Sequence, residues 1–295
     1  MFRTSLLLIL IIFNSCQIQT ETKQLSENMN CYELTSSENS ASPKIKKDTT
    51  IYLSYKGYKY ETVIKAIDDS ISYKGTILAL HGWNLSHLDW CTKTSLCKKA
   101  KEQGYIVILP NIGKSTYSNF YYPETRRDWA IFPTRKWFND TLLSHLHSQF
   151  NLYDEAQKNY VLGLSTGGKG AALIALDNPK IFNAAGVLSA DFDQSYFKTY
   201  NYYIGFYGDF NSFKDRWEKH DNLIYSIKNY TVPTYLGHGL KDKVSPATQT
   251  VMFFDSLKTN QPNLNCILHI DSTAKHDYSY WNSEVDAMLA FFEKY

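Results

Sequence analysis

The stretch Tyr160-Val-Leu-Gly-Leu-Ser165-Thr-Gly-Gly-Lys-Gly-Ala171 constrains this chain more than any other. A short apolar run enters Gly163-x-Ser165-x-Gly167 and leaves through residues rich in Ala and Leu. That pattern predicts a strand, a sharp turn and a helix from Thr166 to about Leu176. A nucleophilic serine needs such a turn, because it lifts the hydroxyl off the sheet while glycines at 163 and 167 remove side chains that would collide there. Ser165 is therefore the candidate nucleophile. The same pentapeptide occurs in ordinary glycine-rich loops, so the reading requires two partners downstream, an acid and then a histidine.

The rest of the chain alternates in a way that suits this turn. Ile51 to Tyr55 and Tyr60 to Ile67 read as a hairpin around Lys56-Gly57, and Thr76 to Leu80 reads as a strand covered on both faces. Further strands are expected at Tyr105 to Leu109, Ala184 to Leu188, Thr234 to His238 and Cys266 to Ile270. Helices are expected at Cys91 to Gln103, Thr134 to Phe150, Ala247 to Leu257 and Ser283 to Lys294, the last with Val285, Met288, Leu289 and Phe292 on one face. Alternation of this kind predicts an α/β fold with a doubly wound, mainly parallel sheet and helices on both faces. Two stretches break the rhythm, Gly113 to Lys136 and Ala190 to Pro233. Both follow strand C-terminal ends, where open α/β sheets bind ligands. The first leaves the strand expected beside the one bearing Ser165, which makes Tyr122 and Trp129 candidate substrate contacts, with packing under a long loop as the alternative.

Downstream of Ser165, the strand ending at His238 runs into Gly239-Leu-Lys-Asp242, which puts Asp242 in a loop at the same sheet edge. Asp191 and Asp193, after the preceding strand, are its competitors. The last strand is followed by His276 in Asp271-Ser-Thr-Ala-Lys-His276-Asp-Tyr-Ser-Tyr-Trp281. A serine hydroxyl is a weak nucleophile without a base in contact. His276 would be that base, and Asp242 would hold the imidazole in the required tautomer. The oxyanion formed on attack needs two backbone donors. The N–H of Thr166 at the helix start and that of Trp83, after His81-Gly82, are the candidates, and His81 is read as shaping that loop.

These residues together resemble an esterase group of the α/β-hydrolases, similar to esterase D, feruloyl and acetyl esterases and mycolyltransferases. The resemblance rests on Leu80-His-Gly-Trp83 with Asp89-Trp90, Gly163-Leu-Ser-Thr-Gly-Gly168, Asn178-Pro-Lys-Ile-Phe-Asn-Ala-Ala185 leading to Leu188-Ser-Ala, and His276-Asp-Tyr-Ser-Tyr-Trp281, spanning roughly residues 50 to 295. It departs in Thr166, where Met is usual, and in the aromatic stretch at 113 to 140. The resemblance implies an α/β-hydrolase fold and a serine esterase forming an acyl-enzyme, with small-molecule or glycan-linked acyl esters as substrates. Acyl transfer, peptide hydrolysis and a non-catalytic surface binding role are the alternatives.

At the N-terminus one basic residue precedes an apolar run too short to span a bilayer, ending in Phe13-Asn-Ser-Cys16. Residues 1–15 read as an export signal and Cys16 as a lipidation site, with a soluble exported protein as the alternative. Residues 16–47 read as a polar tether and 48–295 as the catalytic domain, which places the protein in the cell envelope, anchored to a membrane by lipid. In an exported chain Cys31, Cys91, Cys97 and Cys266 allow three pairings, and Cys91 and Cys97 are close enough in sequence to bridge. No Cys/His spacing resembles a zinc site, so neither a metal nor another cofactor is expected. A net charge of +2 argues against nucleic acid as a partner. The 23 tyrosines would suit a sugar or aryl ligand, although packing accounts for most of them.

Overall fold

The structure, a computed structural model, describes residues 42–126, 128–129 and 133–295. The signal segment, Cys16, Cys31 and most of the tether lie outside the described residues. In chain order the strands are β1 (Thr49–Tyr55), β2 (Tyr58–Lys65), β3 (Gly75–Leu80), β4 (Tyr105–Pro110), β5 (Asn159–Leu164), β6 (Ala184–Leu188), β7 (Thr234–Gly239) and β8 (Cys266–Asp271). They form one sheet in the order β1-β2-β4-β3-β5-β6-β7-β8. β1 and β2 are the expected hairpin, and β2 meets β4 antiparallel. From β4 through β8 every pairing is parallel. The central strands β3 to β7 are buried at every residue, as continuous apolar runs require.

Alternate residues feed two cores. Leu78, Leu80, Ile106, Ile108 and Val161 pack with Trp137, Phe138 and Leu142 on one face. Ile77, Ala79, Leu109, Leu162 and Leu164 pack with Trp90, Leu96, Met288, Leu289 and Phe292 on the other. The packed unit starts upstream of residue 48: Ile45 is buried, and Lys44 N–H donates to the Phe150 carbonyl.

The helices depart from the expected spans in three places. The segment 91–103 is two helices, α1 (Asp89–Thr92) and α2 (Leu96–Gln103). Between them the Thr94 hydroxyl takes the Trp90 carbonyl, Ser95 N–H donates to Asn282 Oδ1 at 2.7 Å, and Cys91 is bonded to Cys97. The segment 134–150 runs as α3 (Thr134–Trp137), a π turn (Phe138–Leu142) and α4 (Leu143–Phe150). After α5 (Thr166–Asp177), α6 (Asn201–Tyr207), α7 (Lys214–Glu218) and α8 (Ala247–Asn260), the chain ends in α9 (Tyr278–Ser283) and α10 (Val285–Phe292). The Asp277 side chain caps α9 by accepting from Tyr280 N–H, so this helix begins one residue beyond the neighbour of His276.

β3 lies between β4 and β5, so the aromatic stretch does not leave a strand adjacent to the one bearing Ser165. It crosses back instead and packs on 190–233. Tyr122 joins Phe197, Tyr203, Phe206, Tyr207 and Trp217 in a third apolar cluster, and buried Arg135 pairs with Asp177 and Asp221.

Cys266 is free and buried, so the Cys91–Cys97 bond is the cross-link of the described residues. It closes a short loop and removes little entropy from the unfolded chain. Cys91→Ser with Cys97→Ser is expected to cost about 2 kcal/mol in denaturant unfolding, the loop-entropy scale. An unchanged midpoint would show that the loop is held by its packing alone.

Candidate active site

Ser165 occupies the turn between β5 and α5 at φ 54°, ψ −128°, a backbone conformation that L side chains rarely adopt. The surrounding glycines permit it. A Cβ at Gly163 would stand 2.0 Å from the Gly167 carbonyl oxygen, and one at Gly167 would stand 2.4 Å from that of His81. The loop after β3 is tight but less so, since a Cβ at Gly82 would lie 3.0 Å from Leu164 Cδ1 and 3.2 Å from Ser165 Cβ. Strand, helix and loop therefore meet backbone to backbone around one half-buried hydroxyl.

Ser165, Asp242 and His276 leave the C-terminal ends of β5, β7 and β8, and the structure brings all three together. Ser165 Oγ–H donates to His276 Nε2 at 3.0 Å, and His276 Nδ1–H donates to Asp242 Oδ2 at 2.6 Å. The Trp281 ring stands edge-on to the imidazole, 5.1 Å between centroids. Neither competing aspartate takes this place: Asp191 accepts from Ser245 and Tyr203, and Asp193 from Ser195 and Asn222.

The Asp242 side chain is fully buried. Its Oδ1 accepts from Val244 N–H (2.8 Å) and Ser245 N–H (2.9 Å). Oδ2 accepts from His276 and, at 3.2 Å, from His238 Nε2. Burial by itself would raise this carboxyl. The hydrogen bonds from His238 and His276, the charge of His276 and the Ser245 N–H outweigh it and hold Asp242 well below the usual carboxylate range. His238 Nε2 also faces the Ser245 carbonyl at 2.9 Å, which assigns it the proton and leaves Nδ1 to accept from the Thr250 hydroxyl at 2.7 Å. Sequence reasoning overlooked His238. Its signal is His238-Gly-x-x-Asp242, a histidine closing the strand that carries the acid.

Of the candidate oxyanion donors, Thr166 N–H opens α5 and has no acceptor within the helix. Trp83 follows the glycine pressed against Ser165, in a loop clamped at three successive carbonyls. Leu80 O accepts from Trp90 Nε1 (2.9 Å), His81 O from the Tyr117 hydroxyl (2.8 Å) and Gly82 O from His81 Nδ1 (2.7 Å). His81 Nε2 in turn accepts from Ile112 N–H at 3.1 Å, tying this loop to the one after β4.

The two aromatic candidates separate. Trp129 stacks edge-on to Trp83 at 4.7 Å, and Tyr202 of α6 does the same at 4.5 Å, so three rings stand beside the loop carrying the Trp83 N–H. Tyr122 is 7% exposed, its hydroxyl 2.6 Å from His220 Nδ1, and it sits inside the third apolar cluster as a packing residue. Among the described residues no group of three or more His, Cys, Asp or Glu side chains could hold a metal ion.

A family model described as "Putative esterase" matches residues 73–292. The acetyl esterase of Caldicellulosiruptor saccharolyticus is 23% identical over 268 residues, covering 86% of this chain and 96% of that protein. The diacylglycerol acyltransferase/mycolyltransferase Ag85B of Mycobacterium avium is 23% identical, covering 68% of each. Among solved structures, an S-formylglutathione hydrolase from Agrobacterium tumefaciens superposes with a TM-score of 0.66 at 14% identity, over 86% of this chain and 99% of that one. This likeness shows the α/β-hydrolase fold.

Burial drives the His81 imidazole down to about 4, against the pull of the Gly82 carbonyl. Its folded value thus lies below that of an unfolded histidine, so the unfolded chain takes up the proton first. The stability held by neutral His81 is complete above about pH 6.5 and is lost as the pH falls toward 4, a loss of roughly 3 kcal/mol. Denaturant unfolding across that range should show the slope in the wild type and a flatter one in His81→Asn. Parallel slopes would place the proton uptake elsewhere.

Proposed function

The chain belongs to the esterase family whose model it matches across residues 73–292, hydrolases of ester bonds, and from that premise we propose that it cleaves carboxylic esters through an acyl-enzyme on Ser165. The carrying observation is the relay Ser165 Oγ–H to His276 Nε2 at 3.0 Å and His276 Nδ1–H to Asp242 at 2.6 Å. His276 removes the proton as Ser165 Oγ attacks the ester carbonyl carbon. The imidazolium so formed is stabilised by the ionised Asp242. The carbonyl π electrons move onto oxygen, where the N–H groups of Thr166 and Trp83 receive the charge. Collapse expels the alcohol, which takes the proton from His276 Nε2. A water molecule, deprotonated by the same nitrogen, then attacks the acyl carbon, and collapse breaks the bond to Ser165 Oγ, which takes the proton back from His276 Nε2 as the acid leaves.

The Trp83, Trp129 and Tyr202 rings suit a flat apolar or sugar face, so carbohydrate-linked acyl esters are the proposed substrates. The likeness to the mycolyltransferase favours one further reading, in which a non-water alcohol accepts the acyl group at the same site. The proposed setting is the cell envelope. The apolar run of residues 6–13 would direct export, and lipid on Cys16 would anchor the chain through the polar segment that follows.

Ser165→Ala should abolish labelling by a fluorophosphonate and lower ester turnover by at least about 10³-fold, as triad losses do, with the melting temperature preserved. Turnover near the wild-type rate on p-nitrophenyl and sugar acyl esters would sink the reading, and competition by added alcohols would identify acyl transfer. Separately, Cys16→Ser should move the protein from the membrane fraction to the soluble one. Unchanged partition would refute the anchor.

A further inference from the structure

The loop bearing Asp242 hangs on one buried residue, Ser245. Its N–H donates to Asp242 Oδ1 at 2.9 Å, its carbonyl accepts from His238, and its hydroxyl donates to Asp191 Oδ1. The other oxygen of Asp191 accepts from the Tyr203 hydroxyl at 3.0 Å. Tyr203 lies on α6 next to Tyr202, whose ring packs edge-on against Tyr203 at 4.6 Å and against Trp83 at 4.5 Å. Contacts therefore run without a gap from the aromatic rings around Trp83 to the carboxylate that orients His276.

Asp191 stands after β6, between the strands that carry the nucleophile and the acid, yet it makes no hydrogen bond to His276. Burial raises its carboxyl, while the Ser245 and Tyr203 hydroxyls and the charge of Lys169 pull the other way. Lys169 is itself buried on α5, its ammonium donating to Gln194 Oε1 at 2.8 Å. An enclosed carboxylate with two hydroxyl donors is a rigid fixture, because each bond is charge-assisted and neither donor has water to turn to.

We propose that Asp191 is a positioning residue for the catalytic acid: by holding the Ser245 hydroxyl it keeps the Ser245 N–H on Asp242, and by holding Tyr203 it links the acid to the aromatic wall on α6. The inference rests on the reading of Ser165, His276 and Asp242 as a triad. Asp242 has four donors, two from its own turn, and the turn keeps its shape only while Ser245 is fixed from behind. Releasing Ser245 lets the carboxylate rotate away from His276 Nδ1. Such a loss is felt when the imidazolium forms and leaves substrate binding intact.

The test uses the full chain with Ser245→Ala, Asp191→Asn, the double variant and Tyr203→Phe, with turnover expressed per active site titrated by a fluorophosphonate. Ser245→Ala and Asp191→Asn are each expected to lower kcat roughly ten-fold, the scale of one charge-assisted hydrogen bond, with KM little changed. The double variant is expected to be no worse than the poorer single one, because both remove the same link. Tyr203→Phe should move kcat in the same direction, and the low-field proton resonance of the His276 to Asp242 hydrogen bond should shift in each. An unchanged kcat per titrated site in Ser245→Ala, or single losses that multiply in the double variant, would overturn the inference. Should Asp191→Asn fail to fold, Ser245→Ala and Tyr203→Phe decide by the same readouts. Turnover surviving in Ser165→Ala would refute the triad reading and this inference with it. Turnover lost in Ser165→Ala but unmoved in Ser245→Ala refutes the inference alone.

Discussion

The site depends on a backbone that is held where a serine does not willingly go. A residue at φ 54°, ψ −128° costs on the order of 1 to 3 kcal/mol and persists only where its surroundings over-determine it. Here backbone packs against backbone at Gly163 under Gly167 and at Gly167 against the carbonyls of Leu80 and His81, while Gly82 lies against the side chains of Leu164, Leu85 and Ser165. A Cβ at 163 or 167 would overlap backbone atoms, and one at 82 would press on its side-chain neighbours. The same crowding presses the loop after β3 onto the start of α5, so the nucleophile and both candidate oxyanion donors share one steric cause.

A second constraint concerns charge. A carboxylate as buried as that of Asp242 is costly unless every lone pair is used, and its four donors use them. Two come from its own turn and two from imidazoles on separate elements. The turn is held in its place by contacts that extend through Ser245 and Asp191 into α6. The segment 190–233, irregular in sequence, thereby becomes part of the scaffold of the acid while its Tyr202 faces Trp83.

Much of this was legible in the residues. The continuous apolar run at Thr76 to Leu80 marked β3 because a strand buried on both faces needs no alternation. Gly163-x-Ser165-x-Gly167 marked the turn because only glycine tolerates the approach of α5. The helices at either end of the chain were harder. Cys91 to Gln103 has helical periodicity throughout, yet the Thr94 hydroxyl and the Asn282 side chain take the backbone groups that would continue it, and Asn282 is distant in sequence. The expected helix from Ser283 is α10, starting at Val285, and a separate short helix α9 precedes it because the Asp277 side chain satisfies the free Tyr280 N–H, an option the apolar face at 285–292 does not reveal. Tyr122 and Trp129 look alike in sequence. They differ because one ring is enclosed by Phe206 and Tyr207 while the other reaches Trp83.

By itself the sequence determined the alternation of strands and helices, the strained serine turn and the chain order of serine, acid and histidine, because each is written in local spacing and in the steric needs of glycine. The tertiary structure decided which aspartate meets His276. Asp191, Asp193 and Asp242 all follow strand ends, so the sequence pointed to Asp242 with the other two still in competition. What separates them is strand order and direction: β7 and β8 are neighbours, so Asp242 comes within 2.6 Å of His276 Nδ1, while Asp191, at the end of β6, is drawn to Ser245 and Tyr203. A hydrogen bond requires distance and angle between groups far apart in the chain, and those follow only from how the sheet is assembled.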